Sequence, residues 1–407
     1  MKVSTLLIAL SLLCSNLLLA GQNSENLEAY ISENKKEQFS YDYKKIEADS
    51  SKLRDSWIAP LNLQYSYSKS NPYVDEQTAE NAAIKMDQPI FQSGGIYYGI
   101  KFAEASRVYS NYSVDVAKRK LIKDAITLLM QIKQTSLKID KQNYLIKNSE
   151  INLELKKEQY LNGQLDSGFL DNAIIERNVV IQALYDIQTS KEKLVSKFQA
   201  ISDISYENAQ IPHLELLDED KFLGENIVLN MSESETEKSK YNKDITVAKY
   251  LPKVSITAGY NWSKSDSPFQ FNSSGTTERD YYDYGVKASI PLDINTFRDI
   301  ESSKISYLKS KIVVEDKKRE LKALFEQVMQ NIGNLDKKKL LSMTNIEIYE
   351  KLLTDTKDLF NAGYKTEYDV DLLANSVEIQ KIDSNIFEID KQLELLTLYE
   401  MYKNDQN

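Results

Sequence analysis

The chain offers few side chains able to do covalent or metal chemistry. Among its 407 residues there is one histidine, His213, and one cysteine, Cys14. A zinc centre draws several ligands from Cys, His and carboxylates, and a hydroxyl or thiol nucleophile needs an adjacent base. His213 has no second His or Cys near it, which is the pattern of a bland surface residue. Gln92-Ser93-Gly94-Gly95 has the glycines of a phosphate-binding loop, but no lysine follows, and a strand-to-helix turn accounts for it. The sequence therefore points away from an enzyme and from a metal or cofactor site.

Composition narrows the setting. Met1 to Ala20 carries Lys2, then a leucine-rich run, and ends at Ala20-Gly21, the anatomy of a cleaved signal peptide. Cys14 lies inside that run behind Leu13, where a lipidation site would want a small residue. Without Cys14 the mature chain has no thiol, so its stability must come from packing and assembly. Lys and Arg number 51 against 61 Asp and Glu, which argues against a nucleic-acid partner and suits a solvated periplasmic surface.

Proline and glycine placement gives the elements. No proline occurs between Pro89 and Pro212, nor after Pro291, and the few glycines inside these stretches include Gly163 and Gly363. Each stretch reads as a long helix, a glycine turn and a returning helix. Leu321, Leu324, Val328, Ile332 and Leu335 recur at intervals of three and four with Lys, Glu and Gln between them, an amphipathic helix with coiled-coil-like packing. Helices from about 102 to 160 and from about 297 to 360 would each reach on the order of 90 Å. Segments 24–54 and 216–249 read as helical lead-ins, and 203–217 as a linker.

The two halves match at an offset of 200 residues. Tyr160-Leu161-Asn162-Gly163 pairs with Phe360-Asn361-Ala362-Gly363, and Leu170-Asp171 with Val370-Asp371. Ahead of each helical hairpin the period changes to alternation. Leu61, Leu63, Tyr65 and Tyr67 follow Pro60, and Val254, Ile256, Ala258 and Tyr260 follow Pro252, each with polar residues between. Returning strands carry Ala82, Ile84 and Met86, then Tyr282, Tyr284, Val286, Ala288 and Ile290. About ten alternating residues with Trp57, Trp262 and many tyrosines near the ends suit transmembrane strands. Leu63, Tyr65, Ile256, Ala258, Val286 and Ala288 are the expected lipid-facing residues. Four strands alone leave two unpaired edges in lipid, so the sheet must close through other copies.

The expected organisation is a signal peptide over 1–20, a first repeat over 21–211 and a second over 212–407. The first holds a β-hairpin at about 57–91 and a helical hairpin at about 96–205. The second holds a β-hairpin at about 252–292 and a helical hairpin at about 297–403.

Several short motifs in this order resemble the outer membrane efflux protein family, the TolC-like channels, over essentially the whole mature chain. They are Ile58-Ala59-Pro60 and Tyr250-Leu251-Pro252 before the hairpins, and Gln88-Pro89-Ile90-Phe91 and Ile290-Pro291-Leu292 after them. The tip sequence from Phe360 to Val370 completes the set. The resemblance implies a mainly α protein with a small transmembrane β part. In it a homotrimer shares a twelve-stranded β-barrel, four strands per chain, continued by an α-barrel of long antiparallel helical hairpins. It also implies a cell outer membrane location extending into the periplasm, with a periplasmic adaptor and an inner-membrane transporter as partners.

By the same resemblance, Gly163, Asp166, Gly363, Lys365 and Thr366 lie at the adaptor-facing helix tips, and Asp369 at the lumen constriction. Lys365 stands where arginine is usual, Asp166 fills a Ser or Thr position, and Phe169 fills the usual Asp position. The function implied is the outer-membrane channel of a tripartite efflux system. The channel of a type I protein secretion system and a non-channel coiled-coil protein of the envelope are the alternatives.

Overall fold

The computed structural model describes residues 24–71, 76–267 and 275–403. The expected leader with Cys14, and the middles of both β-hairpin loops, lie outside the described residues.

Four strands form one antiparallel sheet in chain order: β1 (Asn62–Ser70), β2 (Gln77–Phe91), β3 (Lys253–Ser267) and β4 (Gly275–Ser289). β2 and β3 are central although they come from different halves of the chain. Register aligns the alternation across all four strands. Leu63, Ile84, Tyr260 and Tyr282 form one cross-strand row, and Gln88, Ile256 and Val286 another. The neighbouring positions, such as Gln64, Ala83, Asn261 and Tyr281, form rows on the opposite face. A register shift between Pro89 and Phe91 ends the clean ladder, where proline has no N–H to donate.

Strands β2, β3 and β4 are 15 residues long, more than the alternation suggests. The alternation marks only the apolar band. Beyond it the ladder continues on polar side chains, with Thr78 and Thr276 both donating to the Asp266 carboxylate at 2.5 and 2.8 Å.

The helices are α1 (Glu33–Arg54), α2 (Gly95–Leu161), α3 (Ser167–Gln199), α4 (Glu219–Gly224), α5 (Ile227–Lys249), α6 (Thr296–Asn361) and α7 (Glu367–Tyr399). Both lead-ins differ from single helices. The first is a 3-10 turn over Ser24–Tyr30, then α1, broken where Tyr30 and Ile31 are buried. The second breaks between α4 and α5 at Asn226, which bridges to Tyr402. The linker over 203–217 is irregular yet packed: Ala209, Leu214 and Leu217 are buried, and Gln392 accepts from the Leu214 N–H at 2.8 Å.

The chain divides into two compact units, one of residues 41–114 and 228–318, the other of residues up to 40, 115–227 and 319 onward. Each draws on both halves of the sequence.

In the sheet-bearing unit the helices lie in the order α1, α2, α5, α6. Ser50 of α1 donates to the Ala103 carbonyl of α2, Lys238 of α5 sits over Tyr109 of α2, and Tyr250 hydrogen-bonds Asp299 of α6. In the other unit the order is α3, α2, α7, α6. Gln142 of α2 donates to the Val180 carbonyl of α3. Lys141 of α2 meets Asp383 of α7 at 2.7 Å, and Lys339 of α6 meets Glu388 of α7 at 2.6 Å. The core there contains Ile126, Leu129, Met130, Leu395, Leu396 and Leu398, with Phe222 stacked on Phe325.

Candidate functional site

Two places concentrate the features that a function can use, the sheet faces and the helix tips. On the sheet the hydrophobic rows stand outward into solvent. Leu63 is 77% exposed and Val286 75% exposed, with Tyr65 and Ile256 exposed beside them. Ala258 and Ala288 lie on the same face and are exposed too. All six expected lipid-facing residues are thus on one side. A contiguous apolar face of this kind on a soluble monomer would be costly at roughly 25 cal/mol per Å². Among the described residues no helix is long and apolar enough to cross a membrane, which says nothing of the strands.

Carboxylates on the outward face lie towards the hairpin-loop end and meet aromatic donors. Trp262 donates to Glu278 at 2.7 Å and Tyr260 to Asp280 at 2.9 Å. Tyrosine and tryptophan join an apolar body to a polar tip, the combination found where a membrane meets water.

The tips are built alike. At the end of α2 the Gly163 N–H bonds the Tyr160 carbonyl and the Gln164 N–H bonds the Gln159 carbonyl. At the end of α6 the Gly363 N–H bonds Phe360 and the Tyr364 N–H bonds Leu359. Each is a Schellman turn, with φ of +70° at Gly163 and +82° at Gly363.

The following caps differ. Asp166 is the N-cap of α3 and accepts from the Gly168 N–H at 2.8 Å, its one partner among the described residues. Thr366 is the N-cap of α7 and forms a reciprocal box with Asp369, whose carboxylate accepts from the Thr366 N–H at 3.0 Å and its hydroxyl at 2.9 Å. Lys365 lies 3.6 Å from that carboxylate. The Thr366 backbone N–H and then its hydroxyl hold the Asp369 carboxyl below its ordinary range; burial opposes them, and the Lys365 ammonium adds a smaller lowering. Phe169, 200 positions before Asp369, is exposed and has no such role.

The structure therefore brings Lys365, Thr366 and Asp369 together, and places Gly163 and Asp166 at the other tip. Tyr368 of α7 donates to Glu158 of α2 at 3.4 Å. The sequence reading did not single out this pair, and neither motif nor spacing marks it. Lys85, Lys253 and Lys287 are marked in the sequence only by their place at the polar positions of the strands.

No known family's sequence model matches the chain, and no curated protein sequence matches it. Solved structures do. The outer membrane protein VceC of Vibrio cholerae is 15% identical with a TM-score of 0.69, over 90% of this chain and 92% of that one. The CmeC outer membrane channel of Campylobacter jejuni is 11% identical with a TM-score of 0.69, over 93% and 86%. The open state of the MtrE outer membrane channel of Neisseria gonorrhoeae is 11% identical with a TM-score of 0.64, over 90% and 85%. The resemblance read from the sequence thus holds at the level of fold. The chain has the TolC-like fold, mainly helical with a four-stranded antiparallel sheet.

Proposed function

We propose that this chain is the outer-membrane channel component of a tripartite efflux system, a passive conduit without catalytic activity. The observation that carries the reading is the sheet: an exposed apolar face in register over four strands, with β1 and β4 as free edges. In lipid each unsatisfied backbone group costs several kcal/mol, so such a sheet is stable there only when closed. Three copies give a twelve-stranded barrel. The helical layers support the same closure, because α1, α3 and α6 form their edges just as β1 and β4 form those of the sheet.

The signal peptide over 1–20 would deliver the chain to the envelope, and the helices would extend into the periplasm. The tips at Gly163, Asp166, Gly363, Lys365 and Thr366 would face a periplasmic adaptor that joins the channel to an inner-membrane transporter. Asp369, one per chain, would set three carboxylates around the constriction. In the isolated chain that carboxylate also caps its own helix, with one oxygen facing Lys365 and the other Thr366.

The experiment is purification from outer membranes in mild detergent, followed by single-particle electron microscopy and mass measurement. Trimers with a central pore are expected. Monomers, or filaments without a pore, would remove the channel and favour a structural envelope protein.

A further inference from the structure

We propose that the polar face of the sheet carries a lysine belt that shifts the barrel part of the conduit towards anionic solutes, those bearing carboxylate or phosphate groups, in opposition to the carboxylates proposed at the constriction. This rests on the channel reading above. Strand parity places Lys85, Lys253 and Lys287 on the face opposite Ile256 and Val286. Lys253 pairs with Ser289 and Lys287 with Ser255, so the two lysines are diagonal neighbours on adjacent strands, roughly 5–8 Å apart at Cβ. They share a recess of about 210 Å³ with Gln92, Ser255, Ser289 and Asp87.

The balance of charge in that recess is positive. Asp87 is its only carboxylate and lies 4.0 Å from Lys287, while Lys85 and Lys253 make no ion pair among the described residues. Across the described polar face, Lys85, Lys253, Arg279 and Lys287 stand against Asp87 and Asp283 alone. The Asp283 carboxylate accepts from Asn261 at 2.7 Å and lies over Gly259, where a Cβ would meet it at 2.8 Å. The chain as a whole carries a net charge of −10, so this face has the opposite sign to the rest of the protein.

Ammonium groups with neighbouring hydroxyl and amide donors recognise oxyanions through charge and hydrogen bonds together. A barrel of about twelve strands lies between the eight that side chains fill and the sixteen that leave a wide aqueous channel. Its wall charges therefore lie near the ~10 Å Debye length at 0.1 M salt, close enough to act on a solute in transit. Rings of basic side chains confer anion preference by this means.

The test is the reversal potential of the purified full chain in planar bilayers under a potassium chloride gradient, at about 0.1 M on the dilute side. K253Q/K287Q is expected to lower the chloride-to-potassium permeability ratio by roughly twofold or more, and K253R/K287R to keep the wild-type ratio. A conducting K253Q/K287Q channel with an unchanged ratio overturns the belt, as does equal loss in both double variants. Absence of conductance in the wild type as well brings down the channel reading itself, a result distinct from an unchanged ratio.

Discussion

Helices α3 and α7 are both 33 residues long and begin 200 positions apart, yet α7 buries eight side chains and α3 two. A layer of four helices has only two inner places. In the order α3, α2, α7, α6 the second returning helix takes one and the first lies at an edge. The sequence had already diverged to suit. Val377, Ile382, Ile386 and Leu396 are buried in α7, and Arg177, Gln182, Asp186 and Ser196 occupy the corresponding places in α3. Conversely Ile175 is 60% exposed, whereas Asn375 hydrogen-bonds Asn148 at 2.7 Å. The two helices are alike in length and in their place along the chain, and the position in the layer decides which one a neighbour must cover.

The sharpest way to break this comparison is to empty one core position and its counterpart. Leu396→Ala should cost about 3 kcal/mol by urea unfolding in detergent, through lost burial and the cavity left behind. Ser196→Ala should stay within about 0.5 kcal/mol. Equal costs would mean that α3 is buried as deeply as α7.

The edge role of α3 is tested by charge. Ile175→Asp with Val179→Asp should shift detergent-solubilised protein from trimer to monomer in light scattering, with helical circular dichroism retained. A trimer of unchanged stability would show that the exposed face of α3 is not a subunit contact.

The turns should behave identically. A Cβ at Gly163 or Gly363 meets nothing within 4 Å, so alanine pays only for positive φ. Each substitution is expected to cost about 1 kcal/mol, and a large inequality would reveal a further contact at one tip.

The smallest effect is titration. Asp369 has a folded pKa below its unfolded value, so its contribution is whole above about pH 4 and is lost as pH falls through the lower folded value. The first turn of α7 should therefore fray on acidification, followed by amide exchange, and Asp369→Asn should flatten that dependence.

Much of this architecture was legible in the sequence. Alternation located the strands because each sheet face has one character, and the glycines marked both hairpin turns because only they adopt positive φ without strain. The breaks in the two lead-ins were hidden, since Tyr30, Ile31 and Asn226 are buried by distant segments rather than by local preference. Strand length was underread because Thr78, Asp266 and Thr276 extend the ladder without apolar side chains. At the tips the cap was legible in Thr366 and Asp369, while the Tyr368 to Glu158 contact joins residues 210 apart and no local pattern announces it.

The central pairing of β2 with β3 also sets a schedule for biogenesis. Thr78 finds Asp266 across 188 residues, and the Ser93 hydroxyl finds the Pro252 carbonyl across 159. Synthesis from the N-terminus makes β1 and β2 long before β3, the partner of β2, is available. Contacts so far apart close slowly, and the waiting strand edge is open to wrong pairing meanwhile. Until the second half of the sheet forms, the first is an unfinished sheet with its aromatic and aliphatic face uncovered.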